Sequence, residues 1–305
     1  MVKYIFIVNP IAGKGRGKKI APELKSILDN STYNYELFFT SKKNDAMNFV
    51  SGLPKSENYF VIAVGGDGTV NEIVNGFGEN SKNTLGVLPI GSGNDFARSI
   101  NLLGDWKLIL NSILKSNLTK TIDLGLINFT ESNNTVYHQR YFACNCGIGF
   151  DAQVAYIANQ NSILRGLPLY LLSVFKTMRI FKSADFSGSF DNFEFDGKKL
   201  LIAIGNGVTS GGGFKLNPNA NNSDGLLDFC IAKDMSNIDI LKVLPKAIGG
   251  NHLTSRLIEY GTFSKSEFSV SDPVYIHIDG EVVSRFANQI KIEIIPKSLK
   301  VIVRD

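Results

Sequence analysis

The stretch that decides the fold is Val61-Ile62-Ala63-Val64-Gly65-Gly66-Asp67-Gly68-Thr69-Val70-Asn71-Glu72. Its leading apolar residues do not alternate with polar ones, the pattern of a strand covered on both faces. Glycines with one aspartate follow, and then Val70, Ile73, Val74 and Phe77 fall on one side of an amphipathic segment. A strand, a glycine turn and a helix start make a phosphate site. Glycines let the backbone come close and take φ > 0, and the first free N–H groups of the helix face an arriving anion. Thr69 is expected to cap that helix, with Glu72 three residues on as its capping-box partner. The stretch reads as a nucleotide-binding turn.

Its neighbours agree. Residues 3–8 (KYIFIV) form a short apolar run that reads as a buried parallel strand ending at Asn9-Pro10. The loop after it, Ile11-Ala12-Gly13-Lys14-Gly15-Arg16-Gly17, lacks the Gly-Lys-Ser/Thr ending of a Walker A loop. Because it follows a strand and precedes a helix from Lys18 to about Leu28, it is a candidate phosphate loop. Residues 35–39 read as a strand ending at Thr40-Ser41, 44–50 as a helix, and 85–89 as a further strand. Another special turn then follows, Ile90-Gly91-Ser92-Gly93-Asn94-Asp95-Phe96-Ala97-Arg98, before a helix over 105–115. Short apolar strands alternating with helices are the βαβ signature of an open parallel sheet, whose ligands sit beyond the carboxyl ends of the strands. The turns 9–17, 65–71 and 91–95 are expected to line one crevice.

From about Leu124 the texture changes to short strands with period-2 alternation: 141–146, 186–190, 200–205, 226–232, 268–270, 274–279, 290–295 and 299–303. Helical segments over 163–181 and 236–248 interrupt them. The pattern predicts a mainly antiparallel β-sandwich domain. At 305 residues the chain exceeds one ordinary core, so the reading is α/β plus β, with an α/β nucleotide-binding domain over 1–123 and a β-rich domain over 124–305. Asp123 lies at the junction, where clefts form.

With 44% apolar and 20% charged residues the chain is globular in composition. Residues 2–8 do not have a signal-peptide layout, and the apolar window 166–175 (GLPLYLLSVF) is far shorter than the ~20 residues of a spanning helix. A cytoplasmic protein with peripheral membrane contact is expected. Cys144, Cys146 and Cys230 contain no C-x-x-C pair and read as small buried hydrophobes of a reducing compartment. The sequon at Asn117 carries no meaning without secretion. A net charge of +4 does not point to nucleic acid. Lys14, Arg16, Lys18 and Lys19 do cluster at a helix start, against its dipole, which favours an anionic partner such as a phosphate or an acidic lipid surface.

Taken together, the 65–72 and 91–98 motifs make the chain resemble the diacylglycerol kinase catalytic-domain family, in particular its soluble bacterial lipid kinases. The likeness extends over nearly the whole chain. Asn9-Pro10 with Ala12-Gly13-Lys14 matches the family's first loop, Ile122-Asp123-Leu124-Gly125 its domain junction, 218–228 (PNANNSDGLLD) a motif before a late strand, and Ile278-Asp279-Gly280-Glu281 the catalytic segment. The resemblance implies a nucleotide domain and a β-rich lipid domain around an interdomain cleft, and transfer of the ATP γ-phosphate to a lipid hydroxyl. It makes Asn9, Pro10, Ile11, Ala12, Gly13, Lys14, Thr40, Gly65, Gly66, Asp67, Gly68, Thr69, Val70 and Asn71 the ATP contacts. Asn94 lies nearby, as does Ser92, where family members usually carry threonine. Asp67, Asp95 and Asp123 correspond to acidic residues around the nucleotide and its magnesium. Glu281, with Asp279 beside it, corresponds to the proton acceptor, and Asn221, Asp224 and Leu226 to a structural magnesium site. Cofactors are therefore ATP and Mg²⁺ and the partner is a diacylglycerol-like lipid; homodimerisation stays open.

Phosphoryl transfer asks for phosphates cradled by amides, a hard cation and a base. Asp67 between glycines favours function over turn chemistry. Asp95 serves equally well as a helix cap or as a ligand, and Asp123 on residues alone is a turn residue. Asp279-Gly280 is by itself a two-residue hairpin turn, which the resemblance turns into a device that aims a carboxylate. Asp224-Gly225 is a hairpin turn too. His277 shares a face with Asp279 and reads as packed, while His138 and His252 carry no pattern. Leu164, Leu167, Leu169, Leu171, Leu172, Val174 and Phe175 make an apolar helix, read as buried, with an acyl-chain groove as the alternative. Rival functions are an NAD kinase-like phosphotransferase and a catalytically silent nucleotide-binding protein at membranes.

Overall fold

The computed structural model describes residues 3–78, 81–115, 118–132, 134–160 and 166–304, with side chains for the same set less 134, 135, 166 and 167. The chain folds as two compact units, Met1–Ile122 with Lys297–Asp305, and Asp123–Pro296.

The first unit is a parallel sheet with helices between its strands. β1 (Lys3–Val8), β2 (Asn34–Phe39), β3 (Tyr59–Gly65) and β4 (Thr84–Pro89) alternate with α1 (Ala12–Asp29), α2 (Asp45–Ser51) and α3 (Asp67–Phe77); α4 (Asp95–Ser99) and α5 (Trp106–Lys115) follow. Residues 5–8 and 61–64 are wholly buried, which is what an apolar run without alternation demands. The sheet order is β2-β1-β3-β4, parallel throughout. Because β1 connects outward to β2 while β3 lies on its other side, β1 and β3 bracket the topological switch point of the sheet. The segments leaving their carboxyl ends are 9–17 and 65–71.

The last stretch of β13 (Glu281–Ile302) completes this sheet, with Lys300 and Val301 paired in parallel to Thr84 and Leu85 of β4. The sequence reading ran the β-rich domain to 305; the return of 297–305 differs from it. Val301 and Ile302 are buried as a doubly covered parallel strand requires, and Gly86 leaves the room into which the Ile302 side chain reaches.

The second unit is mainly antiparallel. Its elements are β5 (Thr119–Glu131), β6 (Asn134–Phe142), β7 (Asn145–Gly149), α6 (Phe150–Asn159), α7 (Gly166–Met178), β8 (Ala184–Phe190), β9 (Phe193–Gly205), β10 (Leu227–Lys233), α8 (Asn237–Gly249), β11 (Ile258–Phe263), β12 (Lys265–Ile278) and most of β13. The order β11-β10-β9-β7-β12-β13 is antiparallel at each step, with β8 against β9 and β12 and β5 against β6. Phe186, Phe190, Phe195, Phe229, Phe263 and Phe268 pack their rings together at the centre of this core.

Two departures from the sequence reading bear on the site. The single strand expected over 141–146 is broken between Phe142 and Asn145, because the N–H groups of Ala143, Cys144 and Asn145 bond to a carboxylate instead of a neighbouring strand. α6 was not foreseen. It starts after Gly149, whose φ of +91° is open to glycine and strained for other residues.

Candidate active site

In the first unit the predicted turns meet. Asn9 N–H donates to Val64 O, and Ile90 and Gly91 N–H donate to Gly65 O. The Asn9 amide donates to Thr69 Oγ1 at 3.3 Å, and Thr40 N–H donates to Val8 O. Glycines make the contacts possible. A Cβ on Gly13 would stand 2.1 Å from Ile90 O, one on Gly17 2.0 Å from Asn9 O, and one on Gly91 2.5 Å from the Gly66 Cα. Gly68 differs: nothing lies within 4 Å of where its Cβ would be, at the exposed first turn of α3. Gly13, Lys14 and Gly15 are left-handed (φ 58°, 64° and 81°), so α1 is regular only beyond them, and Lys14, Arg16, Lys18 and Lys19 are all exposed. Ser92 is exposed, and Asn94, itself left-handed, keeps a buried Oδ1 without a hydrogen-bond partner while its Nδ2 donates to Gly91 O.

The capping expectation at Thr69 is corrected. α3 begins at Asp67, with Gly66 as its N-cap three residues before the expected one, so Thr69 lies inside the first turn, buried against Gly65. Glu72 does not fold back to it. Its two carboxylate oxygens accept from Asn44 and Ala46 N–H and so cap α2. Asp67 Oδ1 accepts from Phe96 N–H at 3.0 Å, and Asp95 opens α4 directly before that residue. The structure thus brings Asp67 next to the start of the 95–99 helix.

In the second unit Asp279 (φ +48°) and Gly280 (φ +83°) form a two-residue turn, with Ile278 paired to Glu281. Positive φ at both central positions is the type I′ hairpin geometry. The Asp279 carboxylate is buried and accepts from Ala143, Cys144 and Asn145 N–H at 2.9–3.1 Å. It is what interrupts the strand between β6 and β7. Glu281 is half-buried at the head of β13. His277 is buried, as read, and faces Asp151 of α6 at 3.3 Å. Burial, with Asp151 and Asp279 charges nearby, holds the Cys146 thiol well above its usual range, and hence protonated.

Asp123 is 1% exposed; its N–H donates to Asn222 O and its Oδ2 accepts from Gly225 N–H, so it braces the 222–225 turn. In that turn Asn221 Oδ1 accepts from Ser223 and Asp224 Oδ1 from Leu226 N–H. One carboxylate, one amide oxygen and one carbonyl are a hard oxygen set that suits magnesium with water in its other positions. Among the described residues no group of three or more His, Cys, Asp or Glu gathers to hold a metal. Burial pushes the neighbouring Asp228 carboxyl up to about 6; a hydrogen bond from Tyr260 opposes this and the Asp224 charge adds to it.

The apolar helix α7 is not simply buried. Val174 and Thr177 face inward at 0% exposure, whereas Pro168, Leu172, Phe175, Lys176 and Arg179 follow one another along an exposed stripe. Leu164 lies outside the described residues, as does the Leu167 side chain. No helix among the described residues is long and apolar enough to cross a membrane.

Residues that sequence reasoning left without a role are Asp151 and Asn159 of α6, while Glu72 caps a different helix from the one expected. The apolar spacing Phe150, Val154 and Ala158 was the available signal for α6.

These features define a parallel α/β unit followed by a β-sandwich-like unit, the architecture of the diacylglycerol kinase and NAD kinase folds. The chain matches the family model "Diacylglycerol kinase catalytic domain" over residues 3–127 and "YegS C-terminal NAD kinase beta sandwich-like domain" over 145–303. A diacylglycerol kinase of Bacillus subtilis (strain 168) is 26% identical over 277 residues, covering 90% of this chain and 88% of its own. In fold, the chain is similar to the crystal structure of a diacylglycerol kinase from Bacillus anthracis str. Sterne (TM-score 0.71, 21% identity, 99% and 97% covered). It is also similar to yeast NADH kinase complexed with NADH (TM-score 0.56, 10% identity, 100% and 84% covered). The chain belongs to the diacylglycerol kinase catalytic-domain family and is by class a lipid kinase.

Proposed function

We propose that the protein transfers the γ-phosphate of ATP to the hydroxyl of diacylglycerol, giving phosphatidic acid and ADP. The observation that carries the reading is the meeting of the 9–17, 65–71 and 90–95 turns at the switch point of the first unit, with Gly68 facing open space at the start of α3. Asn9, Pro10, Ile11, Ala12, Gly13, Lys14, Thr40, Gly65, Gly66, Gly68, Thr69, Val70, Asn71, Ser92 and Asn94 hold the nucleotide, its phosphates against backbone N–H groups. Asp67 and Asp95 are the carboxylates on hand for a magnesium ion, which when bound neutralises charge on the transferring group. Asp123 acts by bracing the 221–226 turn, where Asn221, Asp224 and Leu226 hold a structural magnesium.

Glu281 is the base. It takes the proton of the lipid hydroxyl as that oxygen bonds to the γ-phosphorus and the bond to the ADP oxygen breaks. Asp279 has its carboxylate committed to backbone N–H groups and orients the turn. The exposed stripe of α7, apolar at Leu172 and Phe175 and cationic at Lys176 and Arg179, is the surface for peripheral contact with an anionic membrane.

The test is incubation with labelled ATP, magnesium and a panel of lipids in mixed micelles, with NAD as a parallel acceptor. Label on diacylglycerol supports the reading. The likeness in fold to an NADH kinase makes NAD the rival acceptor, and label on NAD with none on any lipid overturns it.

A further inference from the structure

α6 grips the β12–β13 hairpin. Tyr156 packs on Tyr275 and accepts a hydrogen bond from Arg285, while Asn159 Nδ2 donates to Gly280 O at 3.3 Å. A second arm runs through His277. Gly280 N–H donates to His277 Nδ1 at 3.4 Å, and a ring nitrogen that accepts carries no proton. The neutral ring therefore has its proton on Nε2, which lies 3.3 Å from Asp151 Oδ2. Asp151 is itself oriented, since its Oδ1 accepts from Ala152 N–H at 2.9 Å. Both side chains of the pair are almost fully buried, at 5% and 4% exposure. The pair needs the glycine beneath it: a Cβ on Gly147 would stand 2.0 Å from Asp151 Oδ2 and 2.3 Å from His277 Nε2.

We infer that His277 and Asn159 are positioning residues for the reaction, holding the N–H and the carbonyl of Gly280 and thereby the direction of the next residue, Glu281. Asp151 serves by keeping the His277 proton on Nε2, so that Nδ1 stays an acceptor. The inference rests on Glu281 being the base. A histidine that merely fills the core needs its volume and its bond to Asp151; a positioning histidine needs the Nδ1 arm. The two requirements separate on substitution.

In His277→Asn the amide oxygen stands where Nδ1 was and keeps the acceptor for Gly280, while the Asp151 arm is lost. In His277→Gln the amide reaches toward Asp151 and the Gly280 acceptor is lost. With diacylglycerol in micelles, His277→Asn is expected to keep kcat within about threefold of the parent. His277→Gln is expected to lose about tenfold to hundredfold in kcat, with KM for both substrates within about twofold, because a small misplacement of a base costs rate rather than binding. Asn159→Ala changes an exposed side chain with little risk to folding, and should lower kcat about threefold to tenfold. Independently of activity, ¹⁵N spectra of the parent should show His277 as the Nε2–H tautomer. Equal kcat for the two folded His277 variants, full turnover of Asn159→Ala, or an Nδ1–H tautomer each overturns the inference. A parent enzyme that phosphorylates no lipid overturns the kinase reading instead, and the spectrum still reports separately whether the Nδ1 arm exists.

Discussion

Asp67-Gly68 and Asp279-Gly280 are the same dipeptide in two units, held by opposite means. Around Asp67 the holding is done by backbone against backbone. Gly13, Gly17 and Gly91 let neighbouring turns approach closer than any side chain allows, and the Asp67 carboxylate accepts from Phe96 N–H. Around Asp279 the holding is done by the carboxylate itself, which gathers three backbone N–H groups from a strand break more than 130 residues away in sequence. In the first turn the glycines are structural and the acid is the candidate for chemistry. In the second the acid is structural, and in the proposed mechanism the chemistry passes to the next residue, Glu281.

The contrast can be broken by substitution. The largest effect is expected at Glu281→Gln, with kcat down about 10²- to 10⁴-fold and an unchanged unfolding curve; a folded variant with full kcat would move the base elsewhere. Asp279→Ala should show the reverse emphasis. It orphans buried N–H groups at roughly 1–3 kcal/mol each, so urea titration should find about 3 kcal/mol or more of stability lost, and activity should fall with it. Gly91→Ala drives a Cβ into the Gly66 backbone and should lose about 1–3 kcal/mol. Gly68→Ala separates the two properties: in a helix turn with empty space beside it, alanine should gain up to about 1 kcal/mol, while KM for ATP rises about tenfold if phosphates occupy that space. An unchanged KM there would place the phosphates away from α3. The smallest effect is expected at Glu72→Ala, about 1 kcal/mol of stability through the lost cap of α2, with kcat unaltered in the same assay.

The parallel sheet was legible because strands buried on both faces cannot alternate, and 5–8 and 61–64 do not. The turns were legible because glycine clusters just beyond strands have few other uses. What could not be read depends on partners remote in sequence. Nothing near Cys144 says that its N–H will meet Asp279, so the strand break was invisible. Glu72 fits a capping box by spacing, yet the helix it caps begins with residues 44–46. His277 was readable as buried, but not as the bridge between Asp151 and Gly280. The exposed stripe on α7 was hidden because an almost entirely apolar helix has no polar side to mark which way it faces.

The return of the chain to β4 has a consequence for how the protein is made. β4 is buried along its whole length, and residues 300–301 cover its far edge. During synthesis the ribosome must deliver the whole stretch from β4 to residues 300–301 before that edge is paired. Until then the emerging first unit carries an open, apolar, pairing-competent border, the situation in which strands add to foreign strands. A fragment ending at residue 122 should therefore aggregate on expression, whereas supplying the 297–305 segment, as a fused or added strand, should restore it to solution.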